Sequence, residues 1–172
     1  WDLDKGTVEN ANFDGYNVIY FIKCNANGGG NIIPLIKNNS QDYLPEEFTV
    51  EFDAYFGEQS SSYLLFLSDT KNQIKLDKTM RADDKWLRFH KNSADYQKNV
   101  EANYYPGFSG AKYDKTAKWR HIAVSFNTRA LKAYMDDARI LNIPNLGYNP
   151  TGISLGYHNP GSTTVGYVKN VR

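Results

Sequence analysis

Two carboxylates and a tyrosine occupy alternate positions in the segment Glu51-Phe52-Asp53-Ala54-Tyr55. Side chains alternate between the two faces of a β-strand, so Glu51, Asp53 and Tyr55 share one face, opposite the apolar residues between them. Retaining glycosidases use two carboxyl groups about 5–5.5 Å apart, whereas residues two apart on a strand are separated by roughly 6–7 Å. Both carboxylates are expected in the open, with nothing to keep one of them protonated. The pattern favours a polar face that is either solvated or in contact with a ligand.

A second candidate for binding is the segment from Tyr104 to Gly110, in which Tyr104, Tyr105 and Phe108 lie beside a proline and a glycine. Such rings are typical of a loop, and loops held by a rigid scaffold often carry binding sites. The chain has 13 tyrosines, 9 phenylalanines and 3 tryptophans, a content that fits strand formation as well as stacking on sugar rings. The segment predicts either a ligand contact or a packed loop over the edge of the fold.

The histidines and the cysteine give little evidence of a reactive site. His90, His121 and His158 are far apart in the sequence and lack the spacing of metal ligands. His121 is expected to be hydrogen-bonded within a strand, whereas His158 is expected in a loop, where it could reach a ligand. The single cysteine, Cys24, excludes an internal disulfide, and a lone thiol without a nearby histidine is a weak candidate for catalysis.

Alternation of apolar and polar residues, which is typical of half-buried strands, recurs along the chain. The clearest case is Trp119–Leu141, where turn residues at Asn127–Arg129 separate two alternating runs and Asp136-Asp137 ends the second. Aspartate favours turns because it bonds its own backbone and tolerates a left-handed conformation. We expect no helix longer than a turn or two, and strands at Thr7–Phe13, Tyr16–Ile22, Ile32–Ile36, Phe48–Phe56, Ser62–Leu67, Ile74–Asp77, Trp86–His90, Val100–Tyr105, Trp119–Asn127, Arg129–Asp136, Arg139–Ile143, Gly152–Tyr157 and Thr164–Val171.

Many short strands separated by turns favour a sandwich or a barrel. A chain of 172 residues is large enough to bury one core without disulfides. We expect this core to include Val50, Phe52, Phe66, Leu87, Ile122, Val124, Phe126, Leu131, Leu155 and Val168.

The same residues carry a family resemblance. The pattern Trp119, His121-Ile122-Ala123-Val124, Phe126-Asn127, Leu131-Lys132, Tyr134, Asp136 and Arg139 resembles the central hairpin of laminin G-like domains. Those domains belong to the concanavalin A-like lectin/glucanase superfamily. The segments Leu44–Phe56, Ile153–Gly156 and Gly166–Arg172 resemble its early core strand and its closing strands. The chain also resembles the N-terminal sandwich domain of certain Bacteroidetes OmpA-family outer-membrane proteins.

This resemblance implies a two-sheet antiparallel β-sandwich, a concanavalin A-like jelly roll with negligible helix. Residues 1–172 would form one domain of a longer protein. Sandwich β-glucanases of the superfamily carry Glu, Asp and Glu on one strand face. Here Glu51 and Asp53 match, but Tyr55 replaces the last carboxylate, which removes half of the hydrolytic pair.

The resemblance therefore implies a non-catalytic module that binds carbohydrate or a cell-surface component. The candidate contacts are Glu51, Asp53, Tyr55, Tyr104, Tyr105, Phe108 and His158. Two alternatives remain: a structural or protein-interaction domain, and a glycoside hydrolase, which is less favoured. The implied location is the periplasm or the outer-membrane surface of a Gram-negative bacterium.

Partners and cofactors are only partly constrained. Laminin G-like and lectin relatives often hold calcium, for which Asp2-Leu3-Asp4, Asp83-Asp84 and Asp136-Asp137 are candidate donors. None of them has an EF-hand pattern, so calcium stays unassigned. A formal net charge of +1 gives no electrostatic case for nucleic acid, and no apolar stretch is long enough to span a bilayer.

Overall fold

The computed structural model describes residues 2–3, 8–22, 31–34, 43–58, 62–68, 86–96, 103–104, 106, 116–158 and 165–172. Within these ranges the regular elements are fourteen β-strands and no helix, arranged in two sheets of seven strands. All strand pairs are antiparallel. The predicted all-β, two-sheet antiparallel sandwich is therefore confirmed. None of the described elements is a helix long and apolar enough to cross a membrane.

In chain order the strands are β1 Asp2–Leu3, β2 Val8–Phe13, β3 Tyr16–Phe21, β4 Asn31–Ile33, β5 Glu47–Phe56, β6 Ser62–Ser68, β7 Trp86–His90, β8 Ser93–Tyr96, β9 Asn103–Tyr104, β10 Lys118–Asn127, β11 Ala130–Met135, β12 Ala138–Ile143, β13 Gly152–His158 and β14 Gly166–Lys169. The front sheet has the order β1-β4-β13-β6-β7-β8-β9. The back sheet has the order β12-β11-β10-β5-β14-β3-β2.

Most predicted strands match observed strands, but β1 and β8 were missed. In β8, Ser93, Ala94 and Asp95 are all buried, so no alternation of apolar and polar residues marks this strand in the sequence. The predicted strand Ile74–Asp77 lies outside the described residues, as does Cys24.

The tight turns follow the turn chemistry of the sequence. Phe13 pairs with Tyr16 across the β2–β3 hairpin, and the two residues between them, Asp14 and Gly15, have φ angles of 54° and 77°. Two successive positive φ angles are characteristic of a type I′ turn, for which Asp-Gly is a preferred pair. Asp136 also adopts a left-handed conformation, with φ of 51°, as predicted for the turn that ends β11.

The core lies between the two sheets and is built by alternation. In β5 the residues Phe52, Ala54 and Phe56 are fully buried while the residues between them are half-buried. All ten residues predicted for the core are buried. Phe66, however, belongs to a separate apolar cluster with Leu64 and Trp86, because these side chains lie on the outer face of the front sheet. The strand β6 is therefore buried on both faces.

Tyr63 connects the two sheets through its hydroxyl group. The side chain extends from β6 across the core and is fully buried. Its hydroxyl donates a hydrogen bond to the Tyr55 carbonyl at 2.6 Å and accepts one from the Tyr167 N–H at 3.0 Å. Tyr55 and Tyr167 are paired residues of β5 and β14, so one front-sheet side chain is bonded to two neighbouring strands of the back sheet.

Gly15→Ala should lower the stability of the protein. A Cβ atom at Gly15 would meet nothing within 4 Å, so the cost arises only from the left-handed backbone, about 1–2 kcal/mol for a residue with a Cβ atom. Gly57→Ala is the matched control, because Gly57 also has open space and no such φ angle. Urea unfolding should show a loss for Gly15→Ala and no loss for Gly57→Ala; equal effects would contradict the turn assignment.

Tyr63→Phe should also be destabilising. The substitution keeps the ring but leaves the Tyr167 N–H and the Tyr55 carbonyl without their partner, at a cost of about 1–3 kcal/mol. Each kcal/mol should lower Tm by about 2–4 °C in a protein of this size. Tyr16→Phe is the control, since the ring of Tyr16 is exposed. Calorimetry that finds the same Tm for both variants would show that the cross-sheet bonds contribute little.

Candidate functional site

The two carboxylates of the predicted polar face are both paired. Glu51 and Asp53 lie on the outer face of the back sheet, as alternation predicted. A guanidinium nitrogen of Arg172 lies 2.6 Å from Glu51 Oε2. Asp53 Oδ1 lies 2.7 Å from His121 Nδ1, and Asp53 Oδ2 accepts a hydrogen bond from Asn170 at 2.7 Å. Their side chains are only 26% and 20% exposed, so the expectation that both carboxylates lie in the open is wrong.

These contacts follow from the strand register. His121 pairs directly with Asp53 between β10 and β5, and directly opposed residues point to the same face of a sheet. The predicted role of His121, a hydrogen-bonded histidine within a strand, is confirmed. Arg172 lies opposite Glu51 through two backbone hydrogen bonds of 2.8 and 2.9 Å, which bring the guanidinium to the carboxylate.

Tyr55 belongs to an aromatic group on the same outer face. Its ring centroid lies 4.8 Å from that of Phe13 and 5.4 Å from that of Trp119. Phe13 in turn stacks on Tyr167 at 3.8 Å. We call this set the aromatic group: Phe13, Tyr16, Tyr20, Tyr55, Trp119 and Tyr167. It comes from five adjacent strands, and sequence reasoning identified only Tyr55 as a candidate contact because the others are brought together by the sheet.

The second predicted surface is only partly described. Tyr104 lies in β9, where it pairs with Ser93 of β8. This agrees with the predicted strand Val100–Tyr105 and not with the placement of Tyr104 in a loop. The side chain of Tyr104, and Tyr105 and Phe108, lie outside the described residues. Their predicted role in binding stays a prediction.

Polar residues that the sequence analysis did not connect lie together on the outer face of the front sheet. Arg88 pairs with Asp95 between β7 and β8, and Ser62 pairs with His158 between β6 and β13. Residues opposed in this way share a face. We call the set the front polar cluster: Ser62, Arg88, His90, Ser93, Asp95 and His158.

The centre of the front polar cluster is the contact between Arg88 and Asp95. Arg88 Nε and Nη2 both donate to Asp95 Oδ2, at 3.0 and 2.9 Å, and His90 Nε2 lies 3.4 Å from the same oxygen. The other oxygen, Asp95 Oδ1, is buried and has no hydrogen-bond partner within the described ranges. Burying such an atom unpaired costs about 1–3 kcal/mol. The cluster therefore contains a buried acceptor that the described residues leave unpaired.

The cluster is only partly closed to solvent. The Asp95 side chain is 5% exposed, whereas those of Arg88 and His90 are 29% and 32% exposed. Arg88 has five N–H donors, and two of them bond Asp95. Its guanidinium carbon also lies 5.3 Å from the centroid of the buried Trp86 ring. Asp95 and Trp86 thus fix the orientation of a guanidinium that reaches the surface.

His158 closes the cluster on the side of β13. It is the last residue of β13, so its predicted position in a loop is wrong. Its carbonyl accepts a hydrogen bond from Ser62 Oγ at 3.1 Å. Burial lowers the pKa of the imidazole, and the nearby charges of Arg88 and His90 lower it further. His158 is therefore held toward its neutral form, in which one ring nitrogen donates and the other accepts.

The sequence did contain a signal for this cluster. The residues Arg88, His90, Ser93 and Asp95 lie in a hairpin with Lys91 and Asn92 between the paired positions His90 and Ser93. A hairpin with that turn would have placed Arg88 opposite Asp95. The signal was missed because β8 is short and buried at successive positions.

Among the described residues, no group of three or more His, Cys, Asp or Glu side chains is arranged to hold a metal ion. Of the candidate calcium donors, the Asp136 carboxylate accepts hydrogen bonds from Arg120 and from the His121 N–H. Asp4, Asp83 and Asp84 lie outside the described ranges. Calcium binding stays a prediction.

The stability of the protein should rise with pH because of His158. The usual histidine pKa is 6.5 and the folded value is lower, so the unfolded chain binds more protons between these two values. The contribution of His158 to the free energy of unfolding is complete above pH 6.5. It is lost as the pH falls through the folded pKa of His158. Urea unfolding over this range should show a weaker pH dependence for His158→Gln than for the parent protein. An identical slope in His158→Gln and the parent would contradict this assignment.

Comparison with known protein families and with curated proteins finds no match. Solved structures share the fold. The carbohydrate-binding module CBM66 of Bacillus subtilis is 15% identical with a TM-score of 0.51, over 95% of this chain and 89% of that chain. A glycoside hydrolase family 16 endo-glucanase of Bacteroides ovatus is 8% identical with a TM-score of 0.55, over 96% and 84%. A Bacillus subtilis protein of unknown function with a galectin-like fold is 10% identical with a TM-score of 0.52, over 96% and 84%. These similarities show the jelly-roll fold, which is consistent with the concanavalin A-like superfamily.

Proposed function

We propose that this protein is a non-catalytic carbohydrate-binding module whose site is the front polar cluster. The observation that carries the proposal is the unpaired oxygen of Asp95, buried next to two cationic or polar side chains that reach the surface. A ligand that donates a hydrogen bond to Asp95 Oδ1 and accepts one from Arg88 would remove the cost of the unpaired atom.

Sugars have the chemistry that this arrangement requires. Each hydroxyl group is both a donor and an acceptor, so two neighbouring hydroxyls can donate to Asp95 and accept from Arg88 at the same time. Charge-assisted hydrogen bonds of this kind are about twice as strong as neutral ones. His158, held toward its neutral form, can donate or accept as the ligand requires.

Two further considerations support the proposal. A solved structure with the same fold is named a carbohydrate-binding module, and another is named an endo-glucanase. The resemblance in the hairpin Trp119–Leu141 points to the same superfamily of lectins and glucanases. We place the module in the envelope of a Gram-negative bacterium, as the OmpA-family resemblance implies.

The absence of catalysis is part of the proposal. On the back sheet, Glu51 is paired with Arg172 and Asp53 with His121. Tyr55 occupies the position where the related β-glucanases carry the remaining carboxylate. Both carboxylates are bonded to other side chains, and the strand lacks the third carboxylate of the β-glucanases.

A glycan array that includes bacterial and host polysaccharides tests the function directly. We expect at least one glycan to be retained, and no reducing sugar to be released from it. Release of reducing sugar would show a hydrolase. Retention of no glycan would favour the alternative, a structural or protein-interaction domain.

Substitutions in the front polar cluster should weaken glycan binding. Arg88→Lys keeps the charge but loses the planar fork, and Asp95→Asn removes the carboxylate at nearly constant shape. A hydrogen bond to a charged group contributes about 1.5–3 kcal/mol, so affinity for the array-selected glycan should fall about 10- to 100-fold in calorimetry. Glu51→Gln is the control, because it breaks an arginine–carboxylate pair on the opposite sheet.

Two results would reject the front polar cluster as the site. One is parental affinity in both Arg88→Lys and Asp95→Asn. The other is a loss of affinity in Glu51→Gln that equals theirs. Near-ultraviolet circular dichroism separates lost binding from lost folding, and His158→Gln provides a further variant if Asp95→Asn does not fold.

A further inference from the structure

The end of the β2–β3 hairpin lies over the outer face of the back sheet. Trp119 Nε1 donates a hydrogen bond to Asp14 Oδ2 at 3.0 Å, although β14 and β5 separate β3 from β10 in the sheet. The Tyr16 ring centroid lies 6.1 Å from that of Trp119. Lys169 Nζ lies 3.0 Å from the Tyr16 centroid and 4.4 Å from that of Trp119. The hairpin is thus fixed across β14 by an ammonium group between two rings.

A groove of about 500 Å³ lies between this hairpin and the C-terminal segment. Its lining residues include the apolar Val18 and Val168, both of which are buried. Asn10, Asn17 and Asn170 also line it, and all three residues are exposed. The groove opens where the pairing of β14 with β3 ends, at Val168 opposite Ile19. Beyond this point the C-terminal segment bonds β5 instead, through Arg172 and Glu51.

We propose that this groove is a second binding site, which takes a hydroxyl-rich ligand such as one sugar residue. The class of ligand rests on the proposed function of the module. Pockets for small ligands are typically about 300–1,000 Å³, mostly apolar, with a few convergent polar groups. The groove has this composition, and an asparagine side chain carries both donor and acceptor groups.

The charge of the groove restricts the class of ligand further. Lys169 is the cationic side chain among its described lining residues, and these include no carboxylate. The amide of Asn170 donates to Asp53, which leaves its carbonyl oxygen as an acceptor. A cationic ligand is disfavoured, and a neutral sugar meets both donors and acceptors.

The two sites lie on opposite sheets. Packed sheets are about 10 Å apart, so the groove and the front polar cluster cannot contact the same sugar residue. A module with two such faces could hold two glycan chains at once, which raises its avidity for a polymer without any new contact.

Titration of ¹⁵N-labelled protein with a panel of mono- and disaccharides tests the second site. For at least one sugar we expect shifts in the backbone amides of Asn17, Val18 and Lys169, preserved in Arg88→Lys. The double variant Asn10→Ala/Asn17→Ala should weaken this binding about tenfold, because it removes two hydrogen-bonding groups. Asn12→Ala is the control, since Asn12 is an exposed residue of the same hairpin that does not line the groove.

The possible results of this titration distinguish the second site from the front polar cluster. If no sugar shifts the groove amides, or if Asn12→Ala weakens binding as much as the double variant, the second site is rejected. Shifts at Arg88 and Asp95 without shifts in the groove leave the front polar cluster intact and reject only the second site. Shifts confined to the groove support the second site and reject the front polar cluster.

Discussion

The hydroxyl group of Tyr63 is the contact on which the arrangement of both outer faces depends. The Tyr63 side chain crosses the core from β6, and its hydroxyl bonds the backbone of Tyr55 and Tyr167. The side chains of these two residues belong to the aromatic group on the back sheet. Its neighbour Ser62 points to the opposite side, into the front polar cluster. Burial raises the pKa of Tyr63 well above its usual value. The hydroxyl therefore keeps its proton as the pH rises past the pKa of a free tyrosine. The buried Tyr63 hydroxyl therefore contributes its full stability below pH 10, and this contribution is lost as the pH rises through the folded pKa.

The two outer faces differ in how their polar groups are satisfied. On the back sheet the carboxylate of Asp53 is bonded at both oxygens, by His121 and Asn170. On the front sheet all described donors to Asp95 converge on one oxygen and leave the other unpaired. Most buried acceptors in folded proteins are paired, so an unpaired one requires an explanation. For this reason we propose the site on the front sheet, although the sequence had pointed to the carboxylates of the back sheet.

Sequence reasoning predicted features that depend on neighbours along the chain. The alternation of Glu51 and Asp53 with apolar residues and the left-handed turn at Asp136 are both confirmed. It missed features that depend on the register between strands. Asp95 approaches Arg88 only through a hairpin whose second strand shows no alternation, and His121 meets Asp53 across 68 residues. The aromatic group is likewise assembled from five strands, so no local pattern could identify it.

A crystal structure of the protein with its array-selected glycan is the most direct test of the central claim. The account predicts electron density for a sugar on the outer face of the front sheet, with one hydroxyl within hydrogen-bond distance of Asp95 Oδ1 and another within that distance of Arg88. It also predicts that the Arg88–Asp95 contact is preserved. A glycan bound only elsewhere, with Asp95 Oδ1 still unpaired, would contradict the account.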